Sequence, residues 1–159
     1  MKHLIKPTAN ARKLLRGVAA VELALTMVPL LVLTFGVTEY GRAIYTYNTI
    51  DKAARDAVRF LTAPPPGTPD VNAAASNLVV YGNVDGTGSR LAPGLQTSMV
   101  SICDAASCPA THASVATGSG VVNLVTVSVN GYVYTSIVTY VAPATMNFNN
   151  ISVTMRSSL

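Results

Sequence analysis

From Val18 to Thr38 the chain runs through twenty-one residues with one charged side chain, Glu22. No other feature restricts the fold as strongly. Leu23 to Thr38 alone, sixteen residues without a charge, would extend about 24 Å as a helix. Adding the residues from Val18 brings the length close to the ~30 Å hydrocarbon core of a bilayer. A soluble core helix would keep a polar stripe, and this run has none. Residues 18–40 are therefore predicted to form a helix that can cross a membrane. Pro29 lies inside it and should kink or locally unwind it. The carbonyl freed near residue 25 would then need a partner, such as a Thr26 or Thr34 hydroxyl of a neighbour.

Charge gives this helix a direction. The formal net charge is +4, but Lys2, Lys6, Arg12, Lys13 and Arg16 all precede residue 17, with no acid among them. From residue 17 onward six bases face seven acids. A basic patch spread over a fold would suggest nucleic acid. A basic arm directly before an apolar run instead orients a membrane segment, with the arm in the cytoplasm and the rest outside. No nucleic-acid partner is expected.

Three N-terminal arrangements compete. A removable secretory signal has such an arm, but its apolar part is shorter, and "TFG" at 34–36 is a poor cleavage site. A plain single-span anchor explains everything except Glu22, which could still snorkel to the interface. Cleavage after Gly17 explains Glu22 directly. Val18 would then carry a free α-amine, and Glu22 would be the fifth residue. An amine on one subunit and a carboxylate on the next attract by about 4 kcal/mol at about 4 Å and an effective dielectric constant of about 20. The pair would offset the cost of holding each charge near lipid and would set the register between helices.

The residues "RGVAAVELALTMVPLLVLTFGVTEYGRAIY" resemble the processing site and helix of type IV pilin precursors. They resemble most closely the TadE-like pseudopilins of tight-adherence (Tad, or Flp-type) pilus systems. "NTIDKAARDAVRFL" at 48–61 and the closing "ISVTMRSSL" at 151–159 extend the likeness, while residues 62–120 add nothing to it. The resemblance implies that residues 1–17 are a leader removed by a membrane-embedded prepilin peptidase. Gly17 would be its last residue, Val18 the mature N-terminus and Glu22 the assembly glutamate. Pilins often have Phe at the first mature position, where this chain has Val18. The partners implied are that peptidase, other pilin or pseudopilin subunits and inner-membrane lipid. The location implied is the bacterial inner membrane, single-pass, with the head in the periplasm or carried into a pilus.

Beyond the apolar run, Tyr40, Ile44, Tyr47, Ala54, Val58 and Leu61 recur at helical spacing. Arg42, Asp51, Lys52, Arg55, Asp56 and Arg59 lie opposite. Asp51–Arg55 and Lys52–Asp56 are i,i+4 ion-pair candidates, and Tyr40, Tyr45 and Tyr47 suit an interfacial belt. One helix over 18–62 is expected, crossing the membrane in its first half. "TAPPPGTPD" at 62–70 ends it, so residues 63–70 are a Pro-rich connector. The remainder, 71–159, reads as a β-rich head, with strands at 77–82, 95–103, 121–129, 132–141 and 148–155. Val122, Leu124, Val127 and Val129 are the candidate inward positions of the third. Asn130-Gly131 suits a two-residue hairpin turn or a bulge. The fold class expected is α+β, a long helix packed against a small antiparallel sheet.

Cys103 and Cys108 bracket four residues, and outside the cytoplasm their default is a disulfide. The metal alternative would use Cys103, Cys108 and His112 but lacks a fourth ligand, and no metal is expected. "NIS" at 150–152 matches a glycosylation sequon. An enzyme would have to gather Asp70, Asp85, Asp104 and His112 from separate loops. No catalytic motif surrounds them, so neither an enzymatic activity, a cofactor nor a small-molecule substrate is expected. The function expected is structural: a minor pilin or pseudopilin, with an unprocessed single-span protein whose head binds an envelope partner as the alternative.

Overall fold

The structure, a computed structural model, describes residues 9–157, with side chains from residue 17. The arm residues Lys2 and Lys6 lie outside the described residues. The first element, α1, is a single helix over Ala9–Leu61. It passes through Gly17 without a break, and helical structure is continuous across Pro29. The hydroxyls of Thr26 and Thr34 bond within their own helix, to the carbonyls of Glu22 and Leu23 and of Leu30. The helix ends at the proline run. The amide of Thr62 turns back to Arg59 O.

A second helix, α2, spans Pro69–Tyr81 and packs on the far half of α1. It absorbs "NLVVYG", which the β-rich composition marked as a strand. Helical punctuation at both ends outweighs that propensity. Proline occupies the first turn with Asp70 behind it, and Gly82 closes the helix at φ 75° with its amide on Leu78 O. Val79 and Val80 are then buried against α1 rather than in a sheet.

The sheet follows. Strands β1 (Val100–Cys103), β2 (Val115–Ala116), β3 (Val121–Val129) and β6 (Ile151–Ser157) form one antiparallel sheet, with β3 paired to all the others. A turn of helix, α3, spans Pro109–His112 before β2. The expected strand at 95–103 is half realised, since Thr97–Met99 is a 3-10 turn leading into β1. In β3 the buried residues are Val125, Val127 and Val129, while Val122 and Leu124 are half-exposed. The inward phase is thus the odd-numbered one. The inner face of this sheet and α2 both close on α1 through Ile50, Ala54, Ala57, Val58 and Leu61, with Ile151 and Leu95. Each fully buried Val or Ile contributes about 1.5–3 kcal/mol over its exposed state.

Asn130-Gly131 is neither a hairpin turn nor a bulge. The Asn130 amide bonds to Met99 O, Gly131 has φ 69°, and the chain leaves the sheet. The expected strand at 132–141 shrinks to β4 (Val133–Thr135), which pairs with β5 (Thr145–Asn147) in a separate two-stranded ribbon. A loop of residues 136–144 joins them. The architecture is α+β, one long helix packed against a small antiparallel head.

The buried stripe of α1 differs from the one its apolar residues suggested. Ala54, Val58 and Leu61 are buried, but so are Glu39, Ala43 and Ile50, whereas Tyr40 and Ile44 face outward, Ile44 at 62% exposure, and Tyr47 lies at the edge of the packed face. Small residues allow the sheet and α2 to approach closely. Asp51 and Arg55 pair at 3.0 Å, but among the described residues Lys52 and Asp56 form no ion pair.

Candidate functional site

Residues 17–35 of α1 are all exposed. At the helical rise this stretch is about 28 Å long, close to the hydrocarbon thickness of a bilayer. Among the described residues, α1 is the one helix long and apolar enough to cross a membrane. Gly17 lies in this stretch with open space where a Cβ would be. Val18 and Glu22 are exposed on the same stretch, and among the described residues no side chain meets the Glu22 carboxylate. These three residues lie along one exposed helical stretch and are not gathered into a pocket.

Contact with the head begins at Gly36, where an added Cβ would lie 3.2 Å from Cγ1 of Val141. One turn later comes a residue that periodicity did not single out. Glu39 is 2% exposed, and its Oε1 accepts hydrogen bonds from the Tyr134 hydroxyl at 2.9 Å and the Ile137 amide at 3.0 Å. Arg42, one turn up the helix, holds Oε2 at 3.3 Å. All these groups donate, and only an acceptor carboxylate fits them all. The Ser136 hydroxyl is also buried in this segment and has no partner with good geometry among the described residues. Burial, and then the bond to Glu39, raises the Tyr134 phenol above its ordinary value.

Aromatic packing supports this junction. Phe148 stacks on Tyr134 with centroids 6.0 Å apart and meets Tyr47 edge-on at 5.5 Å. Arg42 lies over the Tyr134 ring at 5.9 Å. A signal for Glu39 existed in the sequence: it is an acid three residues before an arginine, one residue past the end of an apolar run. Its partners are about a hundred residues away, and nothing local pointed to them.

The other end of the head is held by Asp104. Its Oδ2 accepts the Gly67 amide at 2.7 Å, which ties the proline connector to the cysteine loop. Its Oδ1 accepts the amides of Ser107 at 2.7 Å and Ala106 at 3.0 Å and the Ser107 hydroxyl at 2.8 Å. Burial alone would push this carboxyl up. The Ser107, Gly67 and Ala106 amides and the Ser107 hydroxyl outweigh burial and hold it below its ordinary value of 3.8.

Cys103 and Cys108 form the expected disulfide, with Cα atoms 5.5 Å apart. His112 completes a cluster of ligand-type atoms with the two sulfurs. The sulfurs are bonded to each other, so neither offers a thiolate to a metal. The His112 ring instead meets the hydroxyls of Thr111 and Thr126, both at 2.7 Å. Asp70 and Asp85 are exposed, and neither they nor Asp104 belongs to that cluster.

No curated protein and no solved structure matches the chain. The family model described as TadE-like protein matches residues 17–59, about a quarter of the chain and nearly all of α1 beyond the arm. The helix that carries Gly17, Glu22 and Glu39 is thus similar to the TadE-like family, and the small α+β head is built upon it.

Proposed function

We propose that this chain is a minor pilin or pseudopilin of a tight-adherence pilus or a related secretion apparatus. A prepilin peptidase cleaves it after Gly17, and it assembles by lateral packing of its N-terminal helix with other subunits. The observation that carries this is the helical stretch 17–35, uncharged except for Glu22 and exposed along its whole length among the described residues. A surface of that kind needs lipid before assembly and neighbouring helices after it. The family match begins at Gly17 itself, the position of the proposed cut. The head lies outside the cytoplasm, where the Cys103–Cys108 disulfide persists. The protein acts by binding, and its partners are the peptidase, sister subunits and membrane lipid.

The test is intact-mass and N-terminal peptide analysis of the protein purified from its native membrane. An N-terminus at Val18 supports the proposal. A chain that keeps residues 1–17 overturns it and leaves an unprocessed single-span protein whose head binds an envelope partner.

A further inference from the structure

The β4–β5 loop, residues 136–144, has a composition unlike that of a solvated loop. Between Asp104 and Arg156 the chain has no acidic side chain and no basic one apart from His112. Within the loop, Ile137 is 71% exposed and Tyr140 is 100% exposed. Residues of this kind at a loop tip incur a hydration cost unless another phase covers them.

The loop's position identifies that phase. Ile137 is fixed to Glu39 by its amide, and Val141 reaches back to Gly36. The loop therefore descends along α1 from the head to the end of the free apolar stretch, the level at which a bilayer covering residues 17–35 would stop. The amides of Val141 and Ala142 both bond to Val138 O, so the turn satisfies part of its own backbone before it meets an apolar medium. Arg42 stands one turn above on α1, partly exposed, where a lipid phosphate could reach it. Tyr40 is exposed at the same level. Tyrosine has the apolar ring and polar tip favoured at the headgroup boundary.

We infer that the tip of the β4–β5 loop, through Ile137 and Tyr140, inserts into the outer headgroup–acyl boundary of the membrane that α1 crosses. The head then has two membrane contacts, the helix and the loop, and these fix its tilt and rotation on the bilayer. This rests on the proposed membrane-spanning role of residues 17–35, and the two can be tested apart.

The chain contains no tryptophan, so each single substitution adds a lone fluorescent reporter. The full-length variants Tyr140→Trp, Leu25→Trp and Ala110→Trp are reconstituted in phosphatidylethanolamine–phosphatidylglycerol vesicles with lipids brominated either near the headgroup or deep in the acyl chain. Ala110 is exposed on α3, beside the cysteine loop that holds Gly67 beyond the far end of α1. Its reporter should emit as in water and resist both quenchers. Leu25→Trp should be quenched most by deep bromine. Tyr140→Trp should be blue-shifted and should lose roughly half of its emission to shallow bromine and less to deep bromine. Ile137→Trp repeats the measurement at an independent site. If Leu25→Trp is quenched while both loop reporters behave like Ala110→Trp, the loop does not insert and the inference fails with the span intact. Blue-shifted loop reporters that ignore bromine mean that protein covers the loop, which also overturns it. If Leu25→Trp is itself unquenched, the spanning role fails, and the loop inference falls with it.

Discussion

The Tyr134 hydroxyl donates a 2.9 Å hydrogen bond to Oε1 of Glu39, joining the base of the head to the helix across 95 positions of sequence. Together with the Ile137 amide and Arg42, it places a carboxylate at the point where α1 leaves its free stretch and enters the fold. Glu39→Ala should therefore loosen the β4–β5 ribbon more than Tyr134→Phe, because it strands two donors and an arginine, whereas the tyrosine change removes one donor and keeps the ring stacked on Phe148. Hydrogen exchange at the Ile137 amide would show this, fastest in Glu39→Ala, slower in Tyr134→Phe and slowest in the wild type. Equal protection in all three would mean that the junction is held by the aromatic packing alone.

Asp104 gives the head an acid-sensitive fastening. Its folded carboxyl lies below the ordinary 3.8, so the unfolded chain binds more protons wherever pH falls between the two values, and stability rises with pH there. The contribution is complete above the unfolded value and is lost as pH drops through the folded one. Chemical denaturation followed from pH 7 to pH 2 should show a fall for the wild type beginning near the unfolded value. Asp104→Asn should be less stable at neutral pH and should have a shallower acid limb. An acid limb of the same slope in both proteins would assign the pH dependence to other carboxylates.

Gly67 sits at φ +76°, and a Cβ added there would meet the Ala106 Cβ at 2.7 Å. Gly67→Ala combines left-handed strain with a collision against the cysteine loop, and a loss of about 1–3 kcal/mol is expected. Denaturant titration measures it. A loss of less than a few tenths would show that the connector and the loop separate without cost.

Reducing the Cys103–Cys108 bridge opens a short loop, for which the chain-entropy estimate is about 2 kcal/mol. Replacing both cysteines with serine should lower the unfolding free energy from denaturant titration by that amount, and dithiothreitol should do the same to the wild type and nothing to the variant. In the core, Val127→Ala removes two buried carbons from the centre of β3, and about 2 kcal/mol should be lost.

Glu22→Ala tests assembly apart from folding. The residue is exposed and remote from the head, so membrane insertion and head stability should be unchanged. The fraction of subunit crosslinked to, or co-purified with, its sister subunits should fall severalfold. Unchanged crosslinking would remove Glu22 from the interface.

Much of this molecule could be read from consecutive residues. The apolar run, the proline stop at 64–66, the span of β3 and the disulfide all follow from local chemistry, because each depends on neighbours a few positions away. Where local signals conflicted, the choice fell to packing. "NLVVYG" has strand propensity, yet Pro69, Asp70 and Gly82 frame it as a helix that α1 can bury. The same holds for α1, where Tyr40, Ile44 and Tyr47 looked like an inner stripe. The head selected the alanine face instead, since only small side chains let a sheet and a second helix approach one helix closely.

Chain order alone thus specified an apolar helix that crosses or packs, a stop, and a disulfide-closed head of strands. Which face of that helix the head takes, where the free stretch ends, and why Glu39 is buried were settled by the folded molecule. Hydrophobic length is a sum along the chain and survives without a structure. A buried carboxylate is tolerable only when donors from distant segments converge on it, and that convergence exists only once Tyr134 and Ile137 have been folded back against α1.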